Sequence, residues 1–473
     1  MGSDDGLVHL TRDGGANWTK VTPPGMPEWG TVESIEASRH AAGTAYVVVD
    51  NHRMDDYRPY VWGTTDYGKS WKSLAAGLPQ DRASIVLKED TLDPELLFAG
   101  TERGVYISRD GGKAWESLKL NMPTVSVTDL AVKGNDLVVG TRGRSIWILD
   151  NFAPLRADLK EAEGKAVHLL APERATAWRG SSTWTSEAMG QNPPRGALLD
   201  YRLKDKATGE VVLEIFDAKG RLVQKLSSTV EQPEYPEDDP DEPSSKPEPE
   251  LKTEPGLHRA VWRLTYEGAD RLDRAKVDLG NPRRGPAAPP GAYRLRLTAN
   301  GATSEATLEV KPDPRSKVSQ AELEAQLEMS LTVRAAINRT IAAIKEVRSI
   351  REQATALAAL LAEKAEAKDL KGKAEQLAAR CDTLEGKLHN PEAQVVYDIL
   401  AKRGTKLYSN LIFVYETVGW GDGAPTQGAK EVFAELEAEL KGYEKELADL
   451  EATDVKAVDE MAKGLGLARI LTR

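Results

Sequence analysis

Apolar and polar positions follow three successive patterns along this chain. Up to Leu149 the apolar residues come in short β-rich runs broken by turn residues. The first group is Val32 to Ala37, Thr44 to Asp50 and Tyr57 to Thr64. A second is Ala83 to Lys88, Leu96 to Ala99 and Val105 to Ser108, and a third is Val125 to Val132, Leu137 to Gly140 and Ser145 to Leu149. Trp71 to Leu74 and Trp115 to Leu118 add an outer strand to the first two groups. From Ala197 the runs alternate apolar with polar: Ala197 to Lys204, Val211 to Asp217, Leu222 to Leu226, Leu257 to Tyr266, Gly291 to Ala299 and Ala306 to Val310. Strands of this spacing, with a hairpin turn at Asp217-Ala218-Lys219-Gly220, predict a β-sandwich. Beyond Pro312-Asp313-Pro314-Arg315 the period becomes helical. Leu323, Leu327, Leu331, Ile337, Ile341, Ile344 and Val347 mark one long helix, and Phe433, Leu436, Leu440, Tyr443, Leu447 and Leu450 mark the face of another. Further helices are expected near 366–388, 391–418 and 455–465, completing an antiparallel bundle. The expected fold class is multidomain, mainly β and then α, with divisions at 1–155, 156–315 and 316–473.

Within the first division one octapeptide recurs: TRDGGANW ending at Trp18, TTDYGKSW ending at Trp71 and SRDGGKAW ending at Trp115. The shared pattern is [ST]-x-D-x-G-x-x-W, carried by Asp13, Gly15 and Trp18, by Asp66, Gly68 and Trp71, and by Asp110, Gly112 and Trp115. Each Asp suits a turn staple that accepts backbone N–H groups, each Gly a positive φ, and each Trp an anchor packed between neighbouring sheets. Gly140 to Asp150 repeats the interval of Gly100 to Asp110 without the final Gly and Trp, so a fourth, degenerate copy is present. Repeats of this length that carry several short strands predict propeller blades. The chain holds two whole blades and pieces of two others, whereas a closed propeller takes about 4–8. The first eighteen residues read as the late strands of a blade with no secretory signal ahead of them. The expectation is a fragment whose remaining blades and export signal lie in a longer protein.

The octapeptide resembles the Asp-box of BNR-repeat propellers. The degenerate copy, followed by Asn151-Phe152-Ala153-Pro154-Leu155, resembles the propeller end of large bacterial sortilin-like proteins, often labelled glycosyl hydrolases. The resemblance implies a partial Asp-box β-propeller and an extracytoplasmic location, periplasmic or secreted. It implies no single activity, because such propellers include sialidases, xyloglucan-cleaving enzymes and non-enzymatic receptors. In the second division, VVLEIFDAKGRLVQKL from Val211, GLHRAVW from Gly256 and PPGAYRL from Pro289 resemble the immunoglobulin-like module of flagellar hook-capping protein. That module implies a spacer or scaffold.

Composition narrows the function. A formal net charge of −11 argues against phosphate-backbone binding, so nucleic acid is excluded as a main partner. No apolar run reaches the ~20 residues of a membrane span. Cys381 is the only cysteine, which leaves no intrachain disulfide and no thiolate metal site; no cofactor or metal is expected. The polar, aromatic stretch Asn51 to Tyr60 reads as a loop longer than a hairpin needs, and His52, Asp55, Asp56 and Tyr57 are its candidate ligand contacts. Arg142 and Arg144, flanking Gly143, suit a carboxylate or sugar hydroxyls. Trp178 and Trp184 read as junction packing. Residues 231–255, acidic and Pro-rich, read as a mobile loop in which calcium capture by Glu237, Asp238, Asp239 and Asp241 is disfavoured for want of a Gly turn. No catalytic residue stands out. The reading is a non-catalytic exported binding or scaffold protein with a protein, peptide or carbohydrate ligand. The alternative is a xyloglucanase-like or sialidase-like glycoside hydrolase whose catalytic carboxylates lie in blades outside this chain.

Overall fold

The structure is a computed structural model that describes residues 1–156, 164–178, 190, 192–230, 248–272, 275–393, 396, 398–402 and 404–466. The chain is mainly β and then α, and it divides into two compact units, Met1–Glu161 and Ala162–Arg473.

Among the described residues the first unit holds four antiparallel sheets. A two-stranded sheet is formed by β1 (His9–Leu10) and β2 (Thr19–Lys20). Two four-stranded meanders follow: β3 (Thr31–Ala37), β4 (Ala45–Asn51), β5 (Asp56–Thr64) and β6 (Lys72–Ser73), then β7 (Ser84–Glu89), β8 (Leu97–Thr101), β9 (Gly104–Ser108) and β10 (Glu116–Ser117). A three-stranded sheet of β11 (Val127–Lys133), β12 (Asp136–Thr141) and β13 (Ile146–Leu149) ends the series. The sheets stack face to face in a propeller-like way, and alternation along single strands shows how. In β4, Val47 and Val49 join Val8, Trp62 and Val21 between the first and second sheets, while Tyr46 and Val48 join Leu87, Leu97 and Ala99 between the second and third. A strand buried on both faces must be apolar at successive positions, which is why β4 and β8 read as continuous apolar runs. Each of β3, β7 and β11 carries a bulge near its start, at Val32/Ser34, Ser84/Val86 and Val127/Asp129. An added residue there bends the strand in the same place in all three sheets.

A short helix α1 (Ala153–Arg156) closes the unit. Phe152, 1% exposed, packs edge-on to Phe98 at 5.1 Å. The Arg156 guanidinium lies over Phe152 and pairs with Asp90 through two 2.7 Å bonds, tying the third sheet to the turn at Gly134 and Asn135.

In the second unit a three-stranded and a five-stranded sheet share one core. The first is β14 (Val167–Leu169), β16 (Ala197–Leu203) and β19 (Gly256–Trp262), with β16 central. The second runs in the order β15 (Ala175–Ala177), β21 (Ala302–Pro312), β20 (Gly291–Ala299), β17 (Val212–Phe216) and β18 (Leu222–Ser227). Strands β14 and β15 precede Ala197, where the six strands expected from the sequence begin; both are only three residues long and too brief to show a period. Trp178 is exposed, and Trp184 lies outside the described residues. So do 231–247, including the four acidic residues weighed for calcium. At its C-terminal end the expected mobile loop is docked instead. Leu251 is 2% exposed in the shared core, and the Lys252 N–H donates to the Tyr201 hydroxyl at 2.7 Å. The Glu250 and Leu251 N–H groups also donate to the Ser227 carbonyl, at 3.1 and 3.2 Å, so residues 250–252 are held by an apolar anchor and several backbone bonds that composition does not reveal.

Helix α2 (Gln320–Leu360) starts at a capping box, Ser319 with Glu322, and runs for 41 residues. Its first turns pack Leu327 and Leu331 onto the sheet core, and Glu328 receives Lys219 and Arg221 from the β17–β18 hairpin. Farther along, α2 buries Ile337, Ile341, Ile344 and Val347 against α3 (Lys368–Leu388) and later helices. The single helix expected over 391–418 is broken into α4 (Asp398–Ala401) and α5 (Leu407–Gly419). Gly404 takes φ +73, and the Asn390 amide donates to the carbonyls of Lys402 and Gly404, so the chain ends one helix and starts another. Helix α6 (Gln427–Leu450) leads through a π turn at Glu451–Val455 into α7 (Lys456–Gly464). No described helix is long and apolar enough to cross a membrane.

Candidate functional site

The octapeptides form three near-identical turns at the β1–β2, β5–β6 and β9–β10 connections. In each, the leading hydroxyl donates to the Asp and accepts the Gly N–H: Thr11 to Asp13 at 2.8 Å, Thr64 to Asp66 at 2.9 Å, Ser108 to Asp110 at 2.8 Å. The carboxylate then accepts the N–H four residues on, from Asn17, Ser70 or Ala114, at 2.9 Å each. Asn17 and Ser70 add side-chain bonds. These bonds favour the charged form. The Asn17 backbone and side chain hold Asp13 down at about 2, and the Ser70 hydroxyl and N–H do the same for Asp66. For Asp110 burial pushes upward, but the Ala114 N–H and the Ser108 hydroxyl win and its pKa is lowered.

The tryptophans differ. Trp115 is 8% exposed and donates to the Leu74 carbonyl at 2.8 Å; Trp71 is half-buried and donates to Val21 at 2.8 Å. Trp18 departs from the expected packing between sheets. It is 49% exposed and donates back to Gly15 at 3.1 Å, because among the described residues no sheet lies on that side of β1 and β2.

The other ends of the strands carry the cavity. β5 runs nine residues from the Asn51–Asp56 turn to Thr64, so the turn and the Asp66 staple stand roughly 30 Å apart. Most of the expected loop is strand: β5 starts at Asp56, Pro59 is buried, and only a 3-10 turn at His52–Met54 and Asp55 lie outside it. Beside that turn is an open cavity of about 350 Å³ lined by Asp4, Trp29, Thr31, Asp50, Asn51, Arg53 and Met54. Trp29 is its largest apolar surface, 63% exposed. The residue sits at φ +61, third in a turn closed by the Gly30 N–H to the Pro27 carbonyl at 3.1 Å. That position favours Gly or Asn, so an aromatic there carries roughly 1–2 kcal/mol of strain. Gly30 is held by contact as well, since a Cβ on it would stand 2.7 Å from Val49. The turn is therefore fixed beneath the ring.

Asp50 is 6% exposed; its carboxylate accepts the His52 N–H at 2.9 Å and contacts His52 Nδ1. Arg53 reaches Thr31 Oγ1 at 3.4 Å and leaves most of its guanidinium in solvent. Cavity walls of this kind, one aromatic face with a few hydrogen-bonding groups around it, suit a small polar ligand with apolar patches.

The sequence candidates are dispersed around this cavity. His52 orients Asp50 at its edge. Asp55 takes φ +60 to close the turn, exposed, and Tyr57 points to solvent on β5. Asp56 does not pair with Asp55 as an acid couple. It receives Arg58 through two 2.8 Å bonds, the Tyr60 hydroxyl at 2.7 Å and Asn51 at 3.2 Å; the Arg58 contact holds its carboxyl far below the usual range. Arg142 and Arg144 are exposed on the β12–β13 hairpin and do not line the cavity. Among the described residues no three His, Cys, Asp or Glu side chains are arranged to hold a metal ion. Asp4, Trp29, Asp50 and Arg53 escaped the sequence reading, although an aromatic inside the turn-forming run Pro27 to Gly30 was a signal.

No family model matches the chain. It is 31% identical over 137 residues to the oligoxyloglucan-reducing end-specific xyloglucanase of Emericella nidulans, a likeness covering 26% of this chain and 16% of that enzyme. Among solved structures, an ancestral GH74 enzyme overlaps 65% of this chain and 39% of its own at 12% identity and TM-score 0.23. The extracellular domain of a one component system from B. thetaiotaomicron overlaps 66% and 36%, at 12% identity and TM-score 0.21. Structural overlaps this low carry no argument.

Proposed function

We propose that the first unit is a saccharide-binding segment of an Asp-box propeller of the xyloglucanase-like kind. The observation that carries the reading is Trp29, held in a strained left-handed turn with its ring in solvent, beside Asp50, Asn51, Arg53 and Thr31 in one cavity. Strain of this sort persists where the surroundings impose it, and it is common at ligand sites. An aromatic face stacks on a pyranose ring while carboxylate, amide and guanidinium groups take its hydroxyls. The distant likeness to a xyloglucanase favours a β-glucan over a sialylated glycan, because no arginine cluster accompanies the cavity. In this reading the unit binds and does not hydrolyse, since Asp50 is engaged with His52 and Asp56 with Arg58. The two sheets and helices of the second unit act as an immunoglobulin-like spacer and a bundle scaffold, and the protein works outside the cytoplasm.

The second reading is the hydrolase, supported by the same 137-residue likeness and requiring a second carboxylate across the glycan from another blade. Both are tested by titrating the purified protein with xyloglucan oligosaccharides, a sialylated glycan and an unrelated peptide. Binding of the first alone, without new reducing ends, is the expected result. Release of reducing ends supports the hydrolase, and binding of the peptide alone overturns the saccharide reading.

A further inference from the structure

The first three sheets are joined by one interlock, used twice. Three residues beyond Trp18 stands Val21, and three beyond Trp71 stands Leu74. Each presents a carbonyl to the indole of the next copy, Val21 to Trp71 and Leu74 to Trp115, both at 2.8 Å. The same two side chains press on the next copy's glycine. A Cβ at Gly68 would stand 2.7 Å from Val21 Cβ, and one at Gly112 would stand 3.1 Å from Leu74. The motif glycine thus serves twice, by taking a positive φ and by letting the neighbouring repeat close over it. Gly15 also takes a positive φ, +99, yet among the described residues only its own Trp18 comes within 4 Å of a Cβ built there. Among the described residues nothing covers its socket on the side where Gly68 and Gly112 are covered, and the Trp18 ring lies half in solvent.

We propose that the Gly15–Trp18 edge of the first sheet is a docking surface for one further repeat of the same kind, which seats an apolar side chain on Gly15 and offers its backbone carbonyl to the Trp18 indole. The occupant follows from continuity: this face is the third member of a series whose other two members each hold such a repeat. A glycan stacked on Trp18 leaves the Gly15 socket unexplained. Gly2 bridges Val8 as Gly100 pairs with Val105 two sheets later, so a strand entering at Gly2 takes the place that β8 takes in the third sheet.

That correspondence gives the experiment. A copy of residues 31–98 joined ahead of Met1 runs its β8 into Gly2 and brings its own Leu74 toward Gly15. A second extension, residues 84–138, offers Leu118 in the same place, so that poor folding of one leaves the other as the test. The protein is labelled with 5-fluorotryptophan, the Trp18 signal is assigned by its loss in Trp18→Phe, and broadening by a soluble paramagnetic agent is read by 19F NMR. The proposal expects Trp18 broadening to fall to the level of Trp115 in a folded extension and to return when the added Leu74 or Leu118 is changed to Asp. Trp18 equally accessible in both folded extensions overturns it. So does protection of Trp18 in the unextended chain by dimerisation at high concentration or by xyloglucan oligosaccharides, because the face then belongs to a second copy or to a glycan.

Discussion

Arg156→Met separates charge from packing at the end of the first unit. The Asp90 side chain is fully buried and that of Arg156 is 11% exposed; two 2.7 Å bonds join them, and the guanidinium stacks 4.3 Å from the Phe152 ring. Methionine keeps much of the apolar contact with Phe152 but leaves Asp90 with only the N–H groups of Leu92 and Asp93, at 3.2 and 2.9 Å. Removing one partner of a buried pair costs roughly 3–5 kcal/mol, because the other charge stays in place unneutralised. Burial alone would raise the Asp90 carboxyl, yet the Arg156 hydrogen bonds and charge hold it below its ordinary value. A carboxyl depressed in the folded state gives stability above its unfolded pKa of ~3.9 and loses it as pH falls, so the gap between native protein and variant closes below about pH 4. Amide exchange over β8 reads the first unit without interference from the second. Asp90→Asn in the Arg156→Met background removes the stranded charge and should recover more than about 1 kcal/mol. A loss under about 1 kcal/mol, or no recovery in the double variant, refutes the assignment of the clasp as a charge-dependent one.

Three more outcomes follow from the same geometry. Trp115→Ala should cost roughly 3–5 kcal/mol, and Trp18→Ala about half of that or less, read by exchange over the adjoining strands; equal losses contradict the interlock. The lowered carboxyls of Asp13, Asp66 and Asp110 should make the first unit lose stability as pH falls from about 4 toward 2, whereas Asp66→Asn should flatten that dependence in an acid titration followed by circular dichroism. In the second unit Glu385 is 2% exposed and bonded to Arg348, Arg351 and His389, which keep it at about 2 despite its burial; Glu385→Gln should lower the melting temperature of the helices at neutral pH by an amount worth roughly 3 kcal/mol and leave exchange in β4 and β8 unchanged.

How far the sequence goes depends on how local each cause is. The Asp staples and their glycines are local, so spacing alone marks the three turns; the leading hydroxyl and the donor four residues after the Asp are equally local but vary between Thr and Ser, or among Asn, Ser and Ala. Burial of the motif tryptophans is not local. Trp18 and Trp115 occupy the same place in the pattern, and the neighbouring sheet around Trp115, with Leu74 and Leu78, separates 49% from 8% exposure. The cavity is harder still to read, because Asp4 and Trp29 come from two separate connections and Asp50 from the end of β4, and they meet only after two sheets have stacked. In the helices, periodicity marks α2 and α6, but the break at Gly404 depends on Asn390 reaching across the turn. Leu251 is one apolar residue in an acidic run, and its docking depends on Tyr201 some fifty residues away.

The central claim rests on Trp29, and Trp29→Gly tests it most directly. Glycine relieves the left-handed strain, so the change should leave stability within about 1 kcal/mol of the native protein or raise it. The saccharide account predicts that the variant loses binding of xyloglucan oligosaccharides in calorimetric titration while its first unit keeps native exchange protection. Binding of the same oligosaccharides at unchanged affinity by the folded variant would contradict it.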